Sequence, residues 1–239
     1  AYRKVHRAGL VTGALFGTEV VPITAAQLVR MQTASVRAEG ILSAGTPKCI
    51  YWLCMGAKAD PAFIAYTKPI IRIAREIWLL SHMVQSKSHH QDSLSAIEIH
   101  TLMHAISTHN NESMLLQWMH KCFAQFGVTT DKHALSWKIG ASILDITLTT
   151  KSILIDALAS VWTAQNMSNV CKHLDVMPFD PSYIQQEYAR FNTCKRRVFV
   201  QMLSNTVYTF AHAHKIGAQV SPGCPICGAP KDHKLGNLG

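Results

Sequence analysis

The sequence predicts an all-α or nearly all-α fold, a multi-helix bundle followed by a small zinc-knuckle-like tail at the C-terminus. Helix-capping signals recur before apolar residues at helical spacing, whereas stretches rich in strand-forming residues are scarce. Apolar residues make up 48% of the 239 residues and charged residues only 15%. This balance is sufficient to bury a hydrophobic core and differs from the composition of disordered chains.

The first strong helix signal lies between residues 24 and 40. Thr24 and Gln27 have the spacing of a capping box, in which each side chain bonds the backbone N–H of the other residue. Gly40 can take the left-handed conformation that ends many helices. A helix is therefore predicted over this stretch.

The next segments combine one strand signal with two helix signals. Cys49–Met55 has the aromatic and β-prone composition of a short strand. Asp60 followed by Pro61 is typical of an N-cap and a first helical residue. Pro69 interrupts the helical pattern before it resumes over residues 70–84, so a broken pair of helices is predicted.

Helical patterns continue through the middle of the chain. A helix over Glu112–Phe126 is predicted to end at Gly127, and the helical pattern resumes at Thr130, with Gly140 as a possible break. The segment Thr150–Met167 has a regular apolar stripe and is predicted as a further helix.

The last helix is predicted to be long and basic. Asp180 and Pro181 repeat the N-cap signal, and apolar residues at helical spacing continue to Gly217. The residues predicted to face inward are Tyr188, Phe191, Val198 and Met202. The predicted regions of the chain are residues 1–85, 86–178, 179–217 for the long basic helix, and 218–239 for the knuckle-like tail.

Basic side chains concentrate near both ends of the chain. The sequence holds 23 Lys and Arg against 14 Asp and Glu, which gives a net charge of +9. Such an excess is typical of proteins that bind nucleic-acid phosphates, and ordinary solubilising charge is the alternative interpretation. The predicted RNA-binding residues are Arg3, Lys4, Arg7, Arg190, Lys195, Arg196, Arg197, Lys215, Lys231 and Lys234.

Motifs of common enzyme and membrane classes are absent from the sequence. It contains no glycine-rich phosphate loop, no G-x-S-x-G, no H-E-x-x-H and no adjacent aspartates for two metal ions, so no enzymatic activity is predicted. No stretch resembles the roughly 20 apolar residues that span a bilayer. Seven scattered cysteines, an odd number, favour a reducing compartment.

A metal-binding pattern lies near the C-terminus. Cys224 and Cys227 stand in a C-P-x-C-G turn, which places two thiolates on one side of a tight loop, and His233 follows. This arrangement supplies three of the four ligands of a tetrahedral zinc site, with His212, His214 or a group elsewhere as the fourth. One Zn²⁺ is therefore a predicted cofactor, and a vestigial knuckle without metal is the alternative.

Three segments resemble a known family. Gly13–Val20 resembles the segment that follows the catalytic palm in reverse transcriptases of non-LTR retroelements from alveolate protists. Asp60-Pro61, Pro69-Ile70 and the spacing from Ala74 to Trp78 are similar to the next helices of those proteins. The tail around Cys224 resembles their zinc knuckle. The palm with its paired aspartates has no counterpart here, and neither has the cysteine that closes the family's knuckle.

The resemblance implies a thumb-and-tail module that holds a nucleic-acid backbone without performing chemistry. The sequence therefore predicts a non-catalytic RNA-binding component of a ribonucleoprotein, with ribosomal RNA and neighbouring subunits as partners and no membrane. A mitochondrial ribosome is the first expectation, with cytoplasm and nucleus as alternatives. A fragment of an active reverse transcriptase and a helical protein-protein adaptor are the alternative functions.

Overall fold

The computed structural model describes residues 9, 11–41, 46–83, 101, 103–104, 106, 113–130, 135–174 and 180–204. Within these ranges the protein is mostly helical and carries one small antiparallel sheet. This observation confirms the predicted helical class, while the knuckle-like tail lies outside the described residues. No helix in the described ranges is long and apolar enough to cross a membrane.

Seven helices are labelled here in chain order. They are α1 (Ala25–Ala38), α2 (Lys48–Met55), α3 (Pro61–Met83), α4 (Met114–Phe126), α5 (Lys151–Leu174), α6 (Pro181–Arg190) and α7 (Thr193–Leu203). A short helical turn at Thr12–Ala14 and a 3₁₀ turn at Ala57–Ala59 precede α1 and α3. Along the chain, the strands of the sheet follow α4 and precede α5. They are β1 (Thr129–Thr130), β2 (Ser136–Ile139) and β3 (Ser142–Asp145).

The chain forms two compact units that interleave along the sequence. The first unit comprises residues 1–38 and 55–165, and the second comprises residues 39–54 and 166–239. The four predicted regions, in contrast, follow one another along the chain.

The core of the first unit is built around α3. Phe63 packs edge-to-face against Phe126, with ring centroids 6.0 Å apart, and Tyr66 lies 5.3 Å from Trp118. Trp162 of α5 contacts Phe63 and Tyr66 from another side. These aromatic contacts join α3, α4 and α5 into one hydrophobic cluster.

The strand predicted at Cys49–Met55 is wrong, because these residues belong to α2. The five consecutive residues Ile50–Cys54 are each no more than 2% exposed. A helix that is covered on all sides carries an unbroken apolar run, and such a run has the same composition as a buried strand. Composition alone therefore could not distinguish the two.

Several predicted helix ends are confirmed. The Thr24 Oγ1 atom accepts from the Gln27 backbone N–H at 3.2 Å, and Gln27 Oε1 accepts from the Thr24 N–H at 2.9 Å. Gly40 and Gly127 have φ values of +71° and +60° at the ends of α1 and α4. Asp180 accepts from the Ser182 N–H at 2.8 Å and caps α6.

Pro69 does not break the helix, contrary to the prediction. Helix α3 runs from Pro61 to Met83 with Pro69 in its interior. A proline removes one backbone hydrogen bond and costs about 3 kcal/mol in a helix interior. Burial of apolar residues before and after it, such as Phe63 and Ile73, offsets this cost.

The helix predicted from Thr130 is also wrong, because the sheet begins there. Strands β2 and β3 pair antiparallel, with Trp137 opposite Leu144, and Gly140 lies in the tight turn between them at a φ of +59°. Trp137 and Ile139 are buried while Lys138 is exposed, which is the period of two that a strand requires. The strands are only four residues long, so the pattern was too short to outweigh the helical one.

The long helix predicted over residues 179–217 is two helices across its described part. Helix α6 ends at Arg190, Phe191 is extended, and Asn192 caps α7 by accepting from the Lys195 N–H at 3.0 Å. The break changes which residues face inward in α7. Val200 is buried, whereas Val198 and Met202, predicted as inward-facing, are 51% and 40% exposed.

Candidate functional site

The structure describes only part of the predicted binding set. Arg3, Lys4, Arg7, Lys215, Lys231 and Lys234 lie outside the described residues, as do the predicted zinc ligands Cys224, Cys227 and His233. Among the described residues, no group of three or more His, Cys, Asp or Glu side chains is arranged to hold a metal ion.

Two of the four described arginines and lysines of the predicted set are engaged within the protein. Arg190 forms an ion pair with Glu187, one turn earlier in α6. Arg196 donates to the carbonyl oxygens of Tyr188 at 2.9 Å and Ala189 at 3.0 Å, and its guanidinium lies 4.9 Å from the centre of the Tyr188 ring. Arg196 therefore adds hydrogen-bond donors to two carbonyl groups in the last turn of α6, where helical backbone partners run out.

Lys195 and Arg197 differ from these two arginines. Both lie in the first turns of α7 with exposed side chains, and neither has an ion pair or side-chain hydrogen bond with another described residue. Their charges are available to an external anion.

The carboxylates of the described ranges, in contrast, are all buried, paired or hydrogen-bonded. Glu39 and Asp60 are buried, and Asp145 and Asp180 accept hydrogen bonds from nearby turn residues. The ion-paired carboxylates are Glu19, Glu76, Asp156 and Glu187. The hydrogen bonds from the Ser182 hydroxyl and backbone N–H lower the pKa of Asp180, so it stays ionised.

Many cations remain without such partners. The exposed basic side chains that have no ion pair or side-chain hydrogen bond with another described residue are Arg30, Arg37, Lys48, Arg75, Lys121, Lys138, Lys151, Lys172, Lys195 and Arg197. The described surface therefore presents unpaired positive charge and almost no unpaired negative charge.

Part of this charge lines a cleft in the first unit, which we call the basic cleft. It has a volume of about 540 Å³, within the range of ligand-binding pockets. Its lining comprises Glu19, Lys68, Ile71, Arg72, Ala74, Arg75, Trp78, Thr149, Thr150, Lys151 and Leu154.

One wall of the basic cleft is a face of α3. Lys68, Arg72 and Arg75 are four and then three residues apart, which places them on the same side of the helix, with Trp78 one turn further on. Lys68 donates to the Leu15 carbonyl at 2.5 Å, and Arg72 pairs with Glu76 at 2.9 Å. Arg75 has no such partner among the described residues.

The start of α5 forms another part of the lining. Thr150 caps this helix, because its carbonyl accepts from the Leu154 N–H at 3.1 Å and its hydroxyl from the Ile153 N–H at 3.4 Å. Lys151, the first helical residue, is exposed and unpaired within the described ranges. The positive end of the helix dipole adds to the charge of Lys151 at this part of the lining.

Glu19 introduces a single acceptor into the basic cleft. Its Oε2 atom is buried and receives no hydrogen bond from a described residue, while Lys68 Nζ lies 3.7 Å away. The Glu19 side chain as a whole is 35% exposed, so its carboxylate can still accept a hydrogen bond from a ligand hydroxyl or amino group.

Trp78 supplies an aromatic surface at the cleft. It is 41% exposed and stacks on His82, with ring centroids 4.1 Å apart. The other four tryptophans, Trp52, Trp118, Trp137 and Trp162, are no more than 8% exposed. Trp78 is therefore the tryptophan whose ring is accessible to a ligand.

The sequence-based reasoning missed the basic cleft. The spacing of Lys68, Arg72, Arg75 and Trp78 was visible in the sequence as a basic and aromatic helix face. The helix break predicted at Pro69 separates Lys68 from the other three residues of this face. The contributions of Glu19 and Lys151 depend on tertiary packing and carry no local signal.

Comparison of the chain with protein-family models, with curated proteins and with solved structures gives no match.

Proposed function

We propose that this protein is a non-catalytic RNA-binding component of a ribonucleoprotein. The observation that supports it best is the difference between the two kinds of charge. Carboxylates in the described ranges are buried, paired or hydrogen-bonded, whereas exposed lysines and arginines are left unpaired on both units. A surface of this kind attracts the phosphates of a nucleic acid over a large area.

The sequence favours RNA binding over catalysis as the role of the protein. It lacks the recognised motifs for holding catalytic metals or activating a nucleophile. The resemblance to the post-palm part of reverse transcriptases favours RNA over DNA as the polyanion. The ribosomal and mitochondrial assignment is part of the proposal, and co-purification of the native protein with ribosomal subunits from isolated mitochondria tests it.

The binding experiment uses the full chain and a labelled single-stranded RNA over a range of salt concentrations. Each phosphate contact contributes about 0.7 to the slope of log affinity against log salt for a single strand. The variant Lys195→Gln/Arg197→Gln removes two unpaired charges from α7, so both affinity and slope should fall. Arg196 is left intact because its guanidinium holds the end of α6.

A matched control is Lys58→Gln. The Lys58 ammonium already pairs with Asp156 at 2.7 Å, so its removal should change the salt slope much less. A wild-type protein that binds no RNA even at low salt would contradict the proposed function. An unchanged slope in the double variant would show that α7 does not contact RNA.

A further inference from the structure

We infer that the basic cleft binds one nucleotide of a single RNA strand, with the phosphate near Arg75 and Lys151 and the base against Trp78. The inference rests on the proposed function. It names the part of the surface where base stacking and a sugar contact add to the attraction between cations and phosphates. Its basis is the combination of cations, one aromatic ring and one carboxylate acceptor around a single cavity.

The charge of the lining selects an anion. Four cations, Lys68, Arg72, Arg75 and Lys151, face one carboxylate, Glu19, so the lining carries a formal net charge of +3 from +4 and −1. Two of the four cations already have protein partners, whereas Arg75 and Lys151 have none among the described residues. An Arg and a Lys left unpaired beside a cavity are well suited to a phosphate group.

The aromatic ring distinguishes a nucleotide from inorganic phosphate. Trp78 lies one turn beyond Arg75 on the same face of α3, so its indole and the guanidinium line the same cavity. Stacking of a base on an aromatic side chain contributes about 1–3 kcal/mol and tolerates any base. A duplex cannot place a base there without unpairing it, so a single strand is the form expected to bind.

The acceptor at Glu19 favours ribose over deoxyribose. Its carboxylate belongs to a side chain that lines the cleft and is 35% exposed, and the ribose 2′-hydroxyl is a donor that RNA has and DNA lacks. We place the sugar of the bound nucleotide next to Glu19. A carboxylate would repel a phosphate at this position, which leaves the phosphate to the walls formed by Arg75 and Lys151.

The first experiment measures intrinsic tryptophan fluorescence of the full chain with uridine monophosphate, and separately with a uridine oligonucleotide of about ten residues. Because Trp78 alone among the tryptophans is well exposed, stacking should quench its emission. Inorganic phosphate should not quench. In Trp78→Phe, the quenching should disappear, while the affinity measured with labelled RNA should fall only modestly because Phe can still stack.

The second experiment compares charge variants of similar exposure. Arg75→Gln and Lys151→Gln should each lower affinity for uridine monophosphate about tenfold, the typical effect of one charge-assisted contact. The controls Arg30→Gln and Lys138→Gln remove exposed, unpaired cations of the same unit that do not line the cleft. They should leave mononucleotide affinity unchanged.

The third experiment tests the sugar contact with matched RNA and DNA oligonucleotides. Glu19→Ala removes both the acceptor and a negative charge. The ratio of RNA affinity to DNA affinity should fall toward one, while the affinity for DNA rises. A variant that failed to fold would not bind DNA more tightly than the wild type. Circular dichroism checks that the variant retains its helices.

The outcomes separate this inference from the proposed function. The basic cleft is not a nucleotide site if the mononucleotide does not quench the tryptophan emission and if Arg75→Gln and Lys151→Gln leave the RNA affinity unchanged. RNA binding that still depends on Lys195 and Arg197 would then uphold the proposed function alone. Mononucleotide quenching without binding of any RNA would uphold the cleft and overturn the proposed function.

Discussion

Asp60 shows how one residue organises the first unit. Its side chain is fully buried, and three donors from different parts of the unit converge on it. Oδ1 accepts from Gln32 Nε2 and from the Ala62 N–H, both at 2.9 Å, and Oδ2 accepts from Trp162 Nε1 at 3.1 Å. The residue that caps α3 therefore also joins α3 to α1 and α5.

Replacement of Asp60 by Asn should lower the free energy of unfolding by about 2–3 kcal/mol. The amide offers one acceptor oxygen in place of two, so its NH₂ group must face a donor. Chemical denaturation of wild type and variant measures the loss. The control Asp156→Asn affects an exposed ion pair with Lys58 and should change stability by no more than about 1 kcal/mol. Equal effects at the two sites would contradict the role given to Asp60.

The hairpin formed by β2 and β3 depends on the backbone of Gly140. Its φ of +59° is in the left-handed region, and a Cβ atom there would lie 3.0 Å from Val161 Cγ2 of α5. Gly17 has a similar φ of +79° but open space around it. Comparison of alanine substitutions at the two glycines therefore distinguishes the cost of a left-handed backbone from the cost of close packing.

Gly17→Ala should destabilise the protein by about 1–2 kcal/mol, the cost of a left-handed conformation for a residue with a Cβ atom. Gly140→Ala should cost more, because Val161 must also move. Thermal unfolding followed by circular dichroism compares the two variants. A larger loss at Gly17 would show that packing of the hairpin against α5 contributes little.

At the scale of helices and strands, the residues that cap helices were predicted better than the course of the chain between the caps. The caps at Thr24, Asp60 and Asp180 were predictable because each is a local hydrogen bond between residues a few positions apart. The continuation of α3 through Pro69 was not, because burial of that helix against distant residues decides it. The basic cleft was missed for the same reason, since α5 and Glu19 reach it only through the tertiary fold.

At the scale of the whole molecule, the excess of basic residues predicts net electrostatic repulsion. The ion pairs in the described ranges are all partly exposed to solvent, so each contributes little, while the unpaired cations repel one another at low ionic strength. The net charge of +9 for the complete sequence indicates the same balance.

The thermal unfolding midpoint of the free protein should therefore rise with sodium chloride. Between about 0.01 M and about 0.15 M salt, the Debye length falls from about 30 Å to about 8 Å and screens the repulsion. A gain of about 1 kcal/mol corresponds to about 2–4 °C in a chain of this size. RNA affinity should fall over the same range. A midpoint that drops with salt would indicate that ion pairs dominate stability instead.

Among the cysteines that the structure describes, two are deeply buried, Cys122 in the first unit and Cys54 in the second. Burial raises the pKa of Cys54 to about 12 and raises the pKa of Cys122 as well, so neither forms a reactive thiolate at neutral pH while its surroundings stay closed. Exposed Cys194 should react with an alkylating reagent at once. Site-resolved mass spectrometry of the slower labelling at Cys122 and Cys54 would then measure how often each unit opens, and a single protein sample would yield two separate opening free energies.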